Sequence, residues 1–323
     1  MTTTAAPVGR WTGKRFAHEA FLFDTDAAVH DRVVPFVEEG LAREEPVVVV
    51  AGDLVRTLLA EALGARTGEL EVLAPAESFW FGGHETLASY HESMLPLLAA
   101  GGPWRLVGEP TWLATPGGAV WSRFEAVANE AFAAYPYYSL CLHDRRRLAP
   151  AVLDTQLRVH PLVWDGTRPV ASPAYEQTDR FLRSVEPDWT PAPPGADVLR
   201  ITDPHLSRPA LHALLDSSAL GSRAGEVLLT VFELVTNAVR AGGVAEVSHW
   251  TEDGLELWQV HDHGPGLLDP TAGYVPPPVD LDSGRGLWLA RSLADDSAIR
   301  ASEAGTTVRL YFATDTAARP GGR

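Results

Sequence analysis

One helical stretch in the C-terminal half of the chain restricts the fold more than any other segment. Residues 226–241 contain neither Gly nor Pro, and apolar side chains recur at the spacing of one helix face. Glu233 and Asn237 are four residues apart, so they share a face, which lies opposite the apolar stripe. A solvated helix surface explains such a pair when it is taken alone. The segments that follow favour a ligand site instead.

Two predicted strands and a glycine turn come directly after this helix. Residues 244–250 and 255–262 have strand patterns and are joined at Asp253-Gly254, a dipeptide typical of hairpins. The second strand ends in Asp262-His-Gly264-Pro-Gly266, where two glycines allow the backbone to approach a ligand closely. The Asp262 carboxylate can accept a hydrogen bond from an exocyclic amine such as that of adenine.

Further glycine turns complete the pattern. Gly284-Arg-Gly286-Leu287 begins a predicted helix that ends near residue 295, and a glycine turn at a helix N-terminus is a phosphate site. Gly305-Thr306-Thr307 leads into a last strand, 308–312. The Pro-rich segment 267–283 is either a lid over the phosphates or an ordinary surface loop. Each motif alone is weak evidence, but together and in this order they predict a nucleotide site.

These motifs resemble the N, G1, G2 and G3 boxes of the GHKL (Bergerat) ATP-binding fold. The domain, roughly 197–314, is similar to the anti-sigma-factor serine kinases of the RsbW type. The resemblance implies an α+β sandwich in which Asn237 ligates Mg²⁺ and Glu233 is the general base that takes the proton from an acceptor serine. Ala241 departs from the family, which often has a histidine at that position.

The resemblance also assigns the nucleotide contacts. Asp262 would bind the adenine amino group of ATP, and Thr306 would lie near the adenine end. The residues that would shape the rest of the pocket are Gly264, Gly266, Gly284, Gly286 and Leu287.

Composition narrows the class of protein. A length of 323 residues favours two domains, and a formal net charge of −16 disfavours nucleic acid as a partner and suits a basic protein partner. The single cysteine, Cys141, excludes an intrachain disulfide and favours a cytoplasmic location. No membrane span is expected, and the N-terminus lacks the apolar region of a signal peptide.

The N-terminal half alternates predicted strands with predicted helices. Strand patterns at 16–23, 46–51, 104–107 and 137–142 are separated by helical patterns, including one at 85–100. Such alternation predicts an α/β domain with a parallel sheet, of the RecA-like type. The chain has no phosphate-binding loop of the P-loop type, so no ATPase site is predicted there.

This half resembles the MEDS sensory domain, a RecA-like module found ahead of regulators. The segments that suggest it are 18–23, 46–53, 108–112, 121–129, 141–144 and 160–161. His18 is the candidate sensor residue, since a histidine at a strand start can bind a ligand or respond to pH, although a structural role is equally open. A parallel sheet offers a ligand crevice at the C-terminal ends of its strands. Glu125 and Asn129 share a helix face and are candidates to face that crevice. Four tryptophans either line an apolar pocket or pack in the core: Trp80, Trp104, Trp112 and Trp121.

The predicted domain boundaries follow from composition. Residues 1–15 and 317–323 are expected to be disordered, 16–165 to form the sensory domain, 166–196 a Pro-rich linker and 197–316 the ATPase domain. We expect a regulator that binds ATP and Mg²⁺ and either phosphorylates a serine or threonine of an anti-sigma-factor antagonist or sequesters a sigma factor. A non-catalytic binding module and a sensor histidine kinase are the alternatives. Whether the chain forms a homodimer stays open.

Overall fold

The protein is described from a computed structural model. The structure describes residues 11–73, 101–114, 121–185, 189–216, 218–267, 269, 271–274 and 285–314. The chain divides into two compact units, Met1–Leu182 and Arg183–Arg323. Within the described residues, no helix has the length and apolar character needed to cross a membrane.

The first unit is built on a seven-stranded sheet. Its strands are β1 (Ala17–Phe23), β2 (Val47–Val50), β3 (Glu71–Leu73), β4 (Trp104–Gly108), β5 (Tyr137–Asp144), β6 (Leu162–Trp164) and β7 (Pro169–Ala171). They lie in the order β3-β2-β4-β5-β1-β6-β7. All pairs are parallel except β6 with β7. The sheet confirms the parallel α/β prediction, with one antiparallel edge strand.

Six α-helices are described between residues 26 and 215. They are α1 (Asp26–Ala42), α2 (Asp53–Leu63), α3 (Trp121–Ala131), α4 (Pro150–Val159) and α5 (Thr178–Ser184), with α6 (Pro204–Leu215) belonging to the second unit. Thr25 caps α1 by accepting a hydrogen bond from the backbone N–H of Ala28. The predicted helix at 85–100 and Trp80 lie outside the described residues.

The two faces of the sheet differ in chemistry. Leu140 and Leu142 of β5 enter an apolar core together with side chains of α1 and α2. Because strand side chains alternate between faces, Ser139, Cys141 and His143 point the other way. That second face is also buried, and it carries an unusual number of polar side chains.

Part of the predicted linker is folded into the first unit. Strand β7 pairs with β6, and Thr178 of α5 donates a hydrogen bond to the backbone oxygen of Ala126. Phe181 on the same helix is fully buried. Prolines suggested an extended connector, but Pro169 is at an edge strand, where a missing N–H is tolerated.

The second unit is a five-stranded antiparallel sheet covered by helices. Its strands are β8 (Asp197–Ile201), β9 (Ala245–Glu252), β10 (Leu255–Asp262), β11 (Asp296–Ser302) and β12 (Gly305–Ala313), in the order β11-β12-β10-β9-β8. Besides α6, its helices are α7 (Ala224–Gly242) and α8 (Arg285–Leu293). The apolar stripe of α7 packs in one core with Trp258, Leu310 and Phe312 of the sheet.

Candidate functional site

Helix α7 carries the first two predicted site residues. Its buried side includes Val231, Leu234 and Val235, which are at most 4% exposed. Glu233 and Asn237 lie on the flank of the helix and are half-buried. Among the described residues neither side chain has a hydrogen bond or an ion pair. A carboxylate and an amide therefore lie side by side with their hydrogen-bonding capacity available.

Gly286, at the start of α8, lies directly against this pair. A Cβ added to Gly286 would be 2.7 Å from Asn237 Nδ2 and 3.2 Å from Glu233 Oε2. Any side chain at this position would therefore push the polar pair aside. The structure brings these three predicted residues together, and only glycine leaves the flank of α7 open at this point. Gly284, the other glycine of the same motif, lies outside the described residues.

The Asp262 carboxylate is held by backbone amides. It ends β10, is 8% exposed, and its Oδ1 accepts hydrogen bonds from Gly264 N at 2.8 Å and Thr306 N at 3.3 Å. The second oxygen, Oδ2, has no hydrogen bond within the described part of the chain. The turn thus fixes one carboxylate oxygen and leaves the other available as an acceptor.

Two further glycines permit close backbone contacts around this aspartate. Gly305 has a φ of +130°, and a Cβ there would overlap the carbonyl oxygen of Asp262. Gly266 has a φ of +82°, and a Cβ there would overlap the carbonyl oxygen of Ser302. Both positions require glycine for conformation and for space. The close contacts at Gly305 and Gly266 hold the turn after β10 against the hairpin between β11 and β12.

Leu287 and Ala241 also lie close to glycines of this site. Leu287 is half-buried on α8, and a Cβ on Gly273 would lie 2.7 Å from Leu287 Cγ. Ala241 lies against Gly264, since a Cβ on that glycine would be 3.0 Å from the Ala241 Cβ. The position where the resembled family often has a histidine is thus part of the packing between α7 and the Asp262 turn.

The donor set of this site fits a magnesium nucleotide. An amide oxygen on Asn237 and a carboxylate on Glu233 are hard oxygen groups of the kind that Mg²⁺ prefers. The free Oδ2 of Asp262 can accept a hydrogen bond from an amine. Glycine at position 286 leaves a cradle beside the polar pair that a Cβ would fill.

A second polar site lies inside the first unit, around His18. Its Nε2 is 3.1 Å from Glu125 Oε2, and its Nδ1 is 3.0 Å from Asn129 Oδ1. The His160 ring packs on the His18 ring with centroids 4.0 Å apart. Cys141 completes the group, because one ligand atom from each of His18, Glu125, Cys141 and His160 lies within 4.8 Å of the others. We call these four residues the buried cluster.

Burial and mutual charge shift the ionisation of this cluster. Burial alone would lower the pKa of His18, but the negative charges of Cys141 and Glu125 outweigh it and raise that pKa to about 10. Burial raises the pKa of the Cys141 thiol, although the positive charge of His18 opposes it. Burial lowers the pKa of His160 well below its ordinary value of 6.5.

His18 was predicted as a candidate sensor residue, and Glu125 and Asn129 as candidates to face the ligand crevice, but Cys141, His143 and His160 were not predicted as site residues. Their spacing along the chain, 18 to 160, hides the cluster from any local motif. The signal that could have revealed it is the alternation of Ser139, Cys141 and His143 along a strand that is otherwise apolar. Of the tryptophans, Trp112 and Trp121 pack edge to face with centroids 4.4 Å apart, and Trp104 is buried.

Comparison with known families finds one match in each of the two compact units. Residues 17–161 match the MEDS family, described as the methanogen/methylotroph, DcmR sensory domain. Residues 205–312 match the histidine kinase-like ATPase domain. The chain carries a MEDS domain followed by a histidine kinase-like ATPase domain. No curated protein matches the chain.

One similar solved structure contains the RsbU and RsbW domains of a protein from Mycobacterium tuberculosis. It is 20% identical, the match covers 36% of this chain and 32% of that chain, and the TM-score is 0.26. The match thus spans about a third of that protein.

Proposed function

We propose that the C-terminal domain binds ATP with Mg²⁺ and phosphorylates a serine or threonine of a partner protein. The observation that carries this proposal is the close approach of Gly286 to both Glu233 and Asn237, beside an aspartate whose Oδ2 has no hydrogen-bond donor among the described residues. The family match supports nucleotide binding by this domain. The kinase activity rests on the arrangement of the polar pair.

Each residue has a defined task in this proposal. Asp262 Oδ2 accepts the hydrogen bond of the adenine amine, while the amides of Gly264 and Thr306 hold the other oxygen in place. Asn237 supplies an amide oxygen to Mg²⁺, which when bound neutralises the charge of the phosphates. Glu233 accepts the proton of the attacking hydroxyl. Its carboxylate is not engaged in a competing ion pair within the described residues, so it is free for this role.

The partner class follows from the resemblance and from charge. The motifs are similar to those of anti-sigma-factor kinases, so the proposed partner is either an anti-sigma-factor antagonist that is phosphorylated on a serine or threonine, or a sigma factor that the domain sequesters. A chain with a net charge of −16 attracts a partner with a basic surface. The MEDS domain supplies the sensory input that changes the activity of the ATPase domain.

The test is transfer of labelled phosphate from ATP to candidate antagonists that are encoded near this protein or co-purify with it. Wild type, Glu233→Gln and Asn237→Ala are compared for transfer and for binding of a fluorescent ATP analogue with Mg²⁺. We expect Glu233→Gln to reduce transfer by about 100- to 10,000-fold while nucleotide affinity stays within about threefold. Asn237→Ala should weaken the Mg²⁺-dependent part of nucleotide binding.

Three outcomes contradict the proposal in different ways. Nucleotide binding without transfer to any serine or threonine would favour a non-catalytic module that sequesters its partner. An acid-labile phosphate on a histidine of the chain would favour a histidine kinase. Absence of Mg²⁺-dependent nucleotide binding would remove the function altogether.

A further inference from the structure

The buried cluster in the MEDS domain has the composition of a transition-metal site. Its side chains supply two imidazoles, a thiol and a carboxylate from four elements: β1, α3, β5 and the residue that follows α4. All four residues are at most 6% exposed. Thiolate and imidazole ligands select Zn²⁺ and its neighbours over Mg²⁺ or Ca²⁺.

The hydrogen bonds around the histidines direct their ε-nitrogens toward the cluster. The Asn129 Nδ2 lies 2.7 Å from the Val159 carbonyl oxygen and near two more carbonyl oxygens, so this atom must be the amide nitrogen. Its Oδ1 therefore faces His18, whose Nδ1 must donate to it. The same reasoning applies to His160, whose Nδ1 is 2.7 Å from the backbone oxygen of Gln156.

Metal-bound histidines in proteins have this arrangement. One ring nitrogen donates to a carbonyl or carboxylate, and the other binds the ion. The remaining two groups of the cluster are positioned in a comparable way. Trp121 Nε1 donates to Glu125 Oε1 at 2.8 Å, which leaves Oε2 toward His18 and His160, and the Ser139 hydroxyl is 3.3 Å from Cys141 Sγ.

Unsatisfied polar atoms supply an independent observation. His160 Nε2, both ring nitrogens of His143 and both amide atoms of Gln156 are buried, and none has a hydrogen-bond partner among the residues that the structure describes. Burying such an atom without a partner is unfavourable because it loses its hydrogen bonds to water. A purely structural network would not leave its central nitrogen without a partner. A cation beside His160 Nε2 satisfies that atom directly.

Distances and space are compatible with an ion. Glu125 Oε2 is 3.1 Å from His18 Nε2 and 4.0 Å from His160 Nε2. Ligand bonds of about 2.0–2.3 Å in a tetrahedral site place ligand atoms roughly 3.3–3.8 Å apart, so each group needs to move by less than about 1 Å. A cavity of about 30 Å³, lined by His18, Glu125, Cys141 and Trp121 among others, adjoins the cluster.

We propose that His18 Nε2, Glu125 Oε2, Cys141 Sγ and His160 Nε2 bind one divalent transition-metal ion, with Zn²⁺ as the expected occupant. Binding releases the thiol proton of Cys141 and the Nε2 proton of His18 to solvent. The resulting site of a dication, a thiolate, a carboxylate and two neutral imidazoles carries no net charge, which suits a buried position. The MEDS domain is thereby a metal-loaded sensory domain.

The test uses the full-length chain with any affinity tag removed. Metal content is measured by mass spectrometry, and the metal is then exchanged for Co²⁺ after chelator treatment. We expect about one equivalent of zinc, and in the cobalt protein a thiolate-to-cobalt charge-transfer band with strong d–d bands. Because Cys141 is the only cysteine in the chain, that band identifies its ligand without ambiguity.

Variants separate this site from adventitious binding. Cys141→Ser should abolish the charge-transfer band, His160→Gln should reduce zinc content below about half, and Asn129→Leu should weaken affinity by about 10- to 100-fold. The matched control is His30→Gln, an exposed histidine next to Asp31 that should leave the zinc content unchanged. Should a variant fail to fold, cobalt titration of the wild type still decides, because it requires only the native thiol.

The proposal is overturned if the wild type holds less than about 0.1 equivalent of any transition metal and shows no thiolate band on cobalt titration. It is also overturned if the band or the zinc survives in Cys141→Ser, or if His30→Gln removes the metal. None of these measurements involves ATP, so their outcome is independent of the kinase assay.

Discussion

The two polar sites of this protein are formed by different kinds of chemical group. In the MEDS domain the site consists of ionisable side chains that are sealed between a sheet and its helices. In the ATPase domain it consists of backbone amides and glycines around Asp262, next to a polar pair, Glu233 and Asn237, that is only half-buried. A sealed cluster admits an ion or another very small group, whereas an open glycine-lined flank admits a substrate as large as a nucleotide.

This contrast also predicts which kind of substitution disrupts each site most. A site made of backbone fails when a side chain is added, because the turns have no room for one. A site made of charged side chains fails when a charge is removed, because its neighbours are buried and cannot turn to water. The predictions below test this difference, beginning with the largest expected effect.

Adding a methyl group at Gly305 should cause the largest loss of stability. Its φ of +130° is unfavourable for other residues, and the Cβ would overlap the carbonyl oxygen of Asp262. We expect Gly305→Ala to lower the free energy of unfolding of the ATPase domain by about 3 kcal/mol, measured by urea unfolding. Gly254→Ala is the control, because Gly254 also has a positive φ, +78°, but an added Cβ there meets no atom of the described residues within 4 Å. A loss of about 1 kcal/mol is expected there, and equal losses would refute the role of the close approach.

Removing one carboxylate charge should affect the two sites unequally. Glu125 is bound to Trp121 and His18, so Glu125→Gln should lower the free energy of unfolding of the metal-free protein by about 1–3 kcal/mol. Glu233 has no such partners among the described residues, so Glu233→Gln should change it by less than about 0.5 kcal/mol. Urea unfolding of both variants in the presence of chelator measures the difference. A stability cost at Glu233 as large as that at Glu125 would show that the polar pair is structural.

Adding a methyl group at Gly286 should affect ligand binding more than stability. The Cβ would lie 2.7 Å from the Asn237 amide and displace it from the cradle. We expect Gly286→Ala to weaken Mg²⁺-dependent nucleotide binding by about tenfold or more, a loss of about 1.4 kcal/mol. At Gly225, near the start of α7, an added Cβ would meet no atom of the described residues within 4 Å, so Gly225→Ala should leave binding unchanged. If Gly286→Ala and the wild type bind the nucleotide with equal affinity, the polar pair of Glu233 and Asn237 does not contribute to nucleotide binding.

The contrast explains how much could be predicted from the sequence. Glu233, Asn237, Asp262 and Thr306 lie in short motifs, and the turns that unite them have local signatures in glycine. Most of the described strands and helices were also predicted from periodicity, with ends displaced by one or two residues in most cases, but β6 and β7 were not. The role of each site residue remains a prediction.

What could not be predicted depends on tertiary structure. His18, Cys141 and His160 are far apart in the chain. His18 and Cys141 meet because β1 and β5 pair in parallel with His18 opposite Ser139, and His160 precedes β6, which pairs with β1. No local pattern specifies that register. Pro169 similarly indicated a linker, and only its pairing partner at Trp164 shows that it belongs to an edge strand.

The smallest expected effect is a pH dependence of the stability of the ATPase domain. Its source is a buried carboxylate, Glu256, and not the open site around Glu233 and Asn237. Glu256 is 1% exposed, and it accepts hydrogen bonds from Ala219 N and from His249 Nε2 at 3.1 Å. Burial raises the pKa of Glu256, but the hydrogen bonds from His249, Ser218 and Ala219 outweigh it, and the pKa is lowered from its ordinary value of 4.5. The unfolded chain therefore binds this proton more readily than the folded chain.

The sign of the effect follows directly. The contribution of Glu256 to stability is fully present above pH 4.5 and is lost as the pH falls through the lower pKa of the folded state. Glu256→Gln should therefore reduce the difference in unfolding free energy between pH 6 and pH 3.5 by about 1 kcal/mol. Glu303→Gln is the matched control, since Glu303 is exposed and has no partner among the described residues. If Glu256→Gln and Glu303→Gln both keep the full pH dependence of the wild type, the hydrogen-bonded carboxylate of Glu256 is not its source.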